Sequence, residues 1–264
     1  MRIIDAHLHL HDNANFNQLA INVGHENTQE HLRDYFKKEN IVHGIVMGNE
    51  GLNPQEFPDF LSYCVGIDRE KLQEPDALQK LEAHLRKKSC VGIKIYAGYC
   101  RCYISDPVYS PAYELARTYG KPVAFHMGIT AGHKGLLKYS HPLTVDGVAS
   151  TFPAVQFVIC HFGNPWLMDA AAVVDKNENV ALDLSGFLEK HIEIPGFFHA
   201  NRQFIDYIKA AMQFIDEYDR MMYGTDWPLV NMTEYIAFVK ELLPESVWDA
   251  VFYENAKRIY QLEI

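Results

Sequence analysis

Asp5, His7 and His9 in an Asp-Ala-His-Leu-His run, followed far apart by Lys94, His126, His161 and Asp226, are the side chains whose types could share one chemistry. Imidazole and carboxylate are the ligands of a borderline divalent cation. Two imidazoles spaced two residues apart on a strand lie on one side of it and can converge on a single ion. Each residue alone has an ordinary reading. A single histidine at a strand end is usually a hydrogen-bonded structural group, Asp226 in Tyr-Gly-Thr-Asp-Trp-Pro could cap the helix that follows, and Lys94 could be a buried cation paired with Asp183. Three or four imidazoles, an ammonium and a carboxylate buried in one chamber would leave much polar surface poorly satisfied. A shared metal removes that cost.

Such a chamber needs elements that deliver all these residues to one place. Short apolar segments ending in polar or glycine-rich residues alternate with amphipathic stretches, the pattern of repeated βα units and a parallel sheet. Strands are expected near 2–9, 42–47, 61–67, 91–96, 122–127, 156–161, 180–185 and 220–225, and eight closes a barrel. Helices are expected at 28–39, 75–87, 109–119, 143–151, 165–176, 201–217, 233–242 and 245–261, with 48–60 as loop. Pro75, Pro111, Pro165 and Pro244 fall where helices would begin. The last helix, with Val247, Val251, Phe252, Ala256, Ile259 and Tyr260 at near-helical spacing, reads as barrel packing, and Asn255 and Arg258 as anchors of the C-terminus. The fold expected is therefore an α/β (β/α)8 TIM barrel, with 1–264 as a single domain.

Alternation puts Asp5, His7 and His9 on one strand face and Ile4, Ala6 and Leu8 on the other, the apolar set toward the outer helices. The same parity groups Lys94 with Gly92 and Tyr96, His126 with Ala124, His161 with Ile159, and Asp226 with Gly224 and Met222. Each candidate also lies at the carboxyl end of its strand, where barrel enzymes gather their catalytic groups.

Composition narrows the partners. A net charge of −10 lacks the cationic excess that phosphate binding needs, so nucleic acid is not expected. No apolar run approaches the roughly 18 residues of a membrane span, and the N-terminus enters a strand pattern at once, with no signal peptide; a cytoplasmic protein is expected. Five cysteines without a CxxC pair suit reduced thiols, with Cys100 and Cys102 as loop residues. A homo-oligomer is left open.

These segments resemble the amidohydrolase superfamily, especially its branch related to aminocarboxymuconate-semialdehyde decarboxylase. The resemblance spans nearly the whole chain: Ile-Asp-Ala-His-Leu-His at 4–9, Val-Ala-Phe-His-Met-Gly at 123–128, Val-Ile-Cys-His-Phe-Gly at 158–163, Tyr-Gly-Thr-Asp-Trp-Pro at 223–228 and Asn-Ala-Lys-Arg-Ile-Tyr at 255–260. It implies that His7, His9, His126 and Asp226 bind a divalent metal, with His161 as the base or electrophile beside it and Asp226 also catalytic. Lys94 stands where two-metal members carry a bridging carboxylated lysine; in the one-metal branch a lysine there would hold a substrate carboxylate instead, and one metal is favoured. Phe162, where many relatives have glycine, is expected to reshape the pocket wall. Zinc is the first expectation, with Mn2+, Fe2+, Co2+ and Ni2+ admissible for His and Asp ligands. Asp5 is expected either to accept a hydrogen bond from a liganding imidazole or to be ordinary strand-end polarity.

Loops after the strands should line the mouth. Tyr96, Tyr99 and Arg101 offer rings and a guanidinium able to clamp a carboxylate, His133, Lys134 and residues 187–199 add further polar groups, and the glycine-interrupted 128–142 loop could move over the site. The leading expectation is a metal-dependent hydrolase of a small C–N or C–O bond, in a cyclic amide, ester or lactone of acidic character. The alternative is non-oxidative decarboxylation of an unsaturated or aromatic acid by the same ligands. A catalytically silent barrel that senses a metabolite is the third reading, and the presence of every ligand type counts against it.

Overall fold

Side chains on successive strands are sorted into two apolar layers, and the sorting explains the architecture. Cys64, Ala124, Val158, Cys160, Ala181 and Met222 pack in one cluster, while their strand neighbours Val65, Phe125, Phe157, Ile159, Leu182 and Met221 pack in a second with the helices. Strands buried on both faces in this way belong to a parallel sheet covered by helices. The computed structural model describes residues 1–48 and 51–264. Eight parallel strands run in sequence order: Ile3–Leu8 (β1), Ile41–Met47 (β2), Leu61–Ile67 (β3), Cys90–Ile95 (β4), Val123–His126 (β5), Phe157–Cys160 (β6), Val180–Asp183 (β7) and Met221–Met222 (β8). This is the (β/α)8 TIM barrel the periodicity predicts. Residues 49–50 of the expected 48–60 loop lie outside the described residues.

Closure is made by the segment after β8. The Ala6 N–H donates to Tyr223 O (2.9 Å), the His9 N–H to Trp227 O (2.8 Å) and the Asp226 N–H to His7 O (2.8 Å). Asp5 adds a side-chain lock across the same seam, its carboxylate accepting from the Thr225 N–H (2.9 Å) and hydroxyl (2.6 Å).

The expected alternation fails on β1. Pairing with β2 shifts register between Asp5 and Leu8, and Ile4 and Ala6 join the inner cluster while Leu8 joins the outer one. An irregularity of this kind re-aims the side chains that follow it, so His7 and His9 reach the chamber although Asp5 is turned to the seam. The parity of His161 with Ile159 fails too. Ile159 packs in the outer layer, and His161 turns inward because the chain has already left β6 in the left-handed region (φ 60°).

Helices appear near the expected places, among them Gln29–Glu39, capped by the Thr28 side chain, and Met232–Leu242, capped by Asn231. Helix Ala14–Asn22, the short turns Arg69–Leu72 and Ala97–Cys100, and Ile194–Ala200 were not expected. The C-terminal stretch is not one helix but a 3-10 turn (Glu245–Val247), a π turn (Ala250–Glu254) and an α segment (Asn255–Ile259). Its Tyr253, Ala256, Ile259 and Tyr260 continue the inner cluster on the side of Ile4 and Val91. Asn255 anchors it by donating to Tyr218 O (2.7 Å) and Met221 O (2.8 Å), and Arg258 donates to Asp219 O. No helix among the described residues is long and apolar enough to cross a membrane.

Candidate metal centre

His7 is fully buried, and its ring is oriented by a residue at the end of β7, two strands away around the ring: Nδ1 lies 2.8 Å from Asp183 Oδ2. Burial pushes the Asp183 carboxyl up, but the contact with His7 and the nearby His161 and Lys94 outweigh it and hold the group below the usual carboxylate range. Asp183 is therefore an acceptor, His7 carries its hydrogen on Nδ1, and Nε2 is a bare lone pair. Burial also lowers the His7 pKa to about 4, with Lys94 adding to the effect and Asp183 opposing it, so the ring is neutral at pH 7.

The bare His7 Nε2 faces Asp226 Oδ1 at 3.5 Å, and His9 Nε2 lies 3.1 Å from the same oxygen. Among the described residues, neither His7 Nε2 nor Asp226 Oδ1 has a hydrogen-bond partner of good geometry, and both are buried. Two buried acceptors turned toward each other are unfavourable unless a cation or a donor lies against both. Ligand atoms each about 2.1 Å from one ion lie roughly 3.0–3.4 Å apart, close to the spacings found here. His7, His9 and Asp226 offer ligand atoms all within 4.8 Å of one another. Burial would raise the Asp226 pKa, yet the surrounding imidazoles of His161, His7 and His9 hold it well below the ordinary carboxylate range. Asp226 sits at φ 58°, with its N–H tied to His7 O across the seam, so its placement follows from barrel closure.

His161 and His126 form a second pair beside this group. His161 Nε2 lies 3.1 Å from His126 Nδ1, while His161 Nδ1 lies 2.9 Å from Ser185 Oγ and 3.9 Å from Asp226 Oδ2. The His126 Nε2–H donates to Ile129 O at 3.0 Å. Of the four expected ligands, His7, His9 and Asp226 are thus brought together, and His126 stands one imidazole away. Burial lowers the pKa of both rings, that of His161 to about 3.

The remaining expected residues are placed as follows. Asp5 contacts no imidazole nitrogen; it accepts from Thr225 and from the His7 N–H (3.2 Å), and burial raises its pKa to about 7. The support of His7 expected of Asp5 comes instead from Asp183. Lys94 is fully buried in the barrel with Nζ against Cys160 Sγ (2.8 Å) and 5.1 Å from the Tyr96 ring centroid. A cavity of about 1430 Å³ opens over the site, lined by His9, Phe16, Tyr96, Tyr99, Arg101, His126, His161, Glu189 and Asp226 among others. Within it Phe16 stacks on His9 (centroids 5.6 Å apart), and the Tyr99 ring meets His126 edge-on (5.2 Å). The Tyr99 hydroxyl accepts from the Ala131 N–H, and Arg101 donates through Nε and Nη2 to Lys134 O, which occupies the bidentate edge of its guanidinium. Of residues 187–199 only Glu189 lines the cavity, and of the 128–142 loop Ile129 to Gly132 do, whereas His133 and Lys134 do not. Phe162 does not form the pocket wall: it is buried in the outer layer, 6.5 Å from the Phe187 ring. Cys64, Cys90, Cys100, Cys102 and Cys160 are free thiols.

No curated protein matches the chain. Among solved structures it is similar to a 2,6-dihydroxybenzoate decarboxylase from Rhizobium (TM-score 0.71, 15% identity, 100% of each chain covered). It is also similar to a zinc-bound amidohydrolase from Burkholderia multivorans (TM-score 0.69, 15% identity, 99% of this chain and 100% of the other). A third likeness is to a probable 2-pyrone-4,6-dicarboxylic acid hydrolase from Acinetobacter baumannii (TM-score 0.67, 14% identity, 99% and 100% covered). At such identities the likeness carries the fold. An amidohydrolase family model matches residues 54–262, a span that includes Lys94, His126, His161 and Asp226 and leaves the His7–His9 pair to be placed by the geometry above. The chain is an enzyme that belongs to the amidohydrolase family.

Proposed function

We propose that the protein is a metal-dependent hydrolase of a small C–N or C–O bond, in a cyclic amide, ester or lactone that carries an acidic group. The observation that carries this reading is the facing pair of buried acceptors, His7 Nε2 and Asp226 Oδ1, with His9 beside them. His7, His9 and Asp226 would hold one divalent ion, with His126 as the outlying fourth ligand. Zinc is the first choice on this donor set, which also suits manganese, iron, cobalt and nickel. The Burkholderia neighbour's zinc supports the choice. A bound ion would supply a water acidified to near neutrality and a polarised carbonyl.

The chain's own residues do the rest. Asp226 orients the attacking water, and His161 accepts its proton and hands it to the departing nitrogen or oxygen, so that hydroxide adds to the carbonyl carbon and hydrogen to the leaving group. Phe16, Tyr96 and Tyr99 line the cavity with aromatic surface suited to a flat substrate. That same wall favours a second reading, decarboxylation of an aromatic acid, the reaction named for the Rhizobium neighbour. Turnover of a panel of lactones, cyclic amides and aromatic acids by zinc-loaded protein in 18O-water separates the two. Hydrolysis places the label in a product carboxylate. Release of carbon dioxide without label uptake by the retained product would favour the lyase, and no turnover of any panel member would count against both.

A further inference from the structure

The hydrogen-bearing nitrogen of His161 is set by a side chain outside every motif. Ser185, two residues beyond the end of β7, is fully buried, with Oγ 2.5 Å from Asp183 Oδ1 and 2.9 Å from His161 Nδ1. Asp183 already accepts from the His7 ring, from the His161 N–H (2.9 Å) and from the Ser185 N–H (3.2 Å), the environment of an ionised carboxylate. A contact of 2.5 Å to such an oxygen is a charge-assisted hydrogen bond, so the Ser185 hydroxyl donates to Asp183. Its oxygen then has only lone pairs for the imidazole, and His161 must carry its hydrogen on Nδ1. The opposite arrangement, with His161 donating through Nε2 to His126, turns the Ser185 hydroxyl toward His161 and leaves two oxygens 2.5 Å apart, one of them ionised, with no hydrogen between them; the arrangement chosen instead leaves the bare His161 Nε2 and His126 Nδ1 3.1 Å apart, a longer contact between neutral rings.

The next residue makes room for the ring. Gly186 sits at φ +69°, and a Cβ there would stand 2.5 Å from His161 Nδ1 and 3.1 Å from Cγ. We propose that Ser185 and Gly186 are a positioning pair that presents His161 to the chamber with a bare Nε2. His161 then begins a cycle as a proton acceptor. That consequence rests on the reading of His161 as the base, whereas the state of the ring does not.

Long-range proton–nitrogen correlation on the 15N-histidine-labelled, metal-free full chain at pH 7 reads the ring directly. The Nδ1–H form of His161 is expected in the wild type and in Ser185→Thr, and its loss or mixing with the Nε2–H form in Ser185→Ala. Zinc-loaded Ser185→Ala should lose kcat by roughly 10- to 100-fold with KM little changed, and Ser185→Thr should recover it. A wild-type ring protonated at Nε2, or a Ser185→Ala spectrum identical to wild type, overturns the proposal; should Ser185→Ala fail to fold, the wild-type spectrum still decides. The expected spectra with undiminished kcat in Ser185→Ala would support the positioning pair and count against His161 as the base.

Discussion

Asp226 and His7 meet through buried atoms with His9 against the same carboxylate oxygen, so their removal should act on the ion before anything else. Asp226→Asn or His7→Ala is expected to abolish both turnover and bound metal, read by activity and elemental analysis of the same sample. Asp183→Asn should weaken metal affinity by roughly 10- to 100-fold in chelator competition, because it fixes which nitrogen of His7 is bare. Replacing His161 should lower kcat with metal content retained if one ion is held; loss of metal with it would point to two. Residue types at this scale were legible from the sequence, since His7, His9 and Asp226 are plain there. The direction of each ring was not. Asp183 and Ser185 sit in an unremarkable Leu-Asp-Leu-Ser strand end, and only the approach of β7 to β1 and β6 gives them their partners.

At the scale of elements, the strand periodicity places β1 to β8 within a few residues, but strict alternation misreads β1 and β6. A register shift and left-handed backbone at His161 and Asp226 aim the candidate site's side chains, and neither is encoded by a two-residue period. The β1–β8 seam depends on Asp5 and Thr225. Thr225→Val should lower unfolding free energy by about 1–3 kcal/mol in urea, because it strands a buried carboxyl oxygen. Between β2 and β3, His43 Nε2 lies 2.9 Å from Ser62 Oγ, and burial lowers its pKa from 6.5 to about 4. The unfolded chain takes up this proton first as pH falls below about 6.5, so the His43 contribution to stability declines from there toward pH 4. Asp5, raised to about 7, works oppositely: its contribution is full at low pH and is lost as pH rises through about 7. Urea midpoints of wild type and His43→Asn at pH 7 and pH 5 isolate the histidine. The variant should lose less stability on acidification than the wild type does, and an equal loss would contradict a neutral His43.

For the whole molecule, the ring closes only when the segment after β8 pairs with β1, and the C-terminal turns fill the barrel from the side of Ile4. We propose that residues 1–264 therefore unfold as one unit, with coincident transitions by circular dichroism and tryptophan fluorescence; separated transitions would show independent parts. The same closure draws the two ends of the sequence into one chamber, and that convergence is what the account depends on. Elemental analysis of protein purified without added ions, with Asp226→Ala and His7→Ala alongside, tests it most directly. About one equivalent of a divalent metal per chain is expected in the wild type on the zinc-type site proposed, with loss in both variants. A wild-type protein that retains no metal even after zinc loading, or variants that retain as much as the wild type, would contradict it.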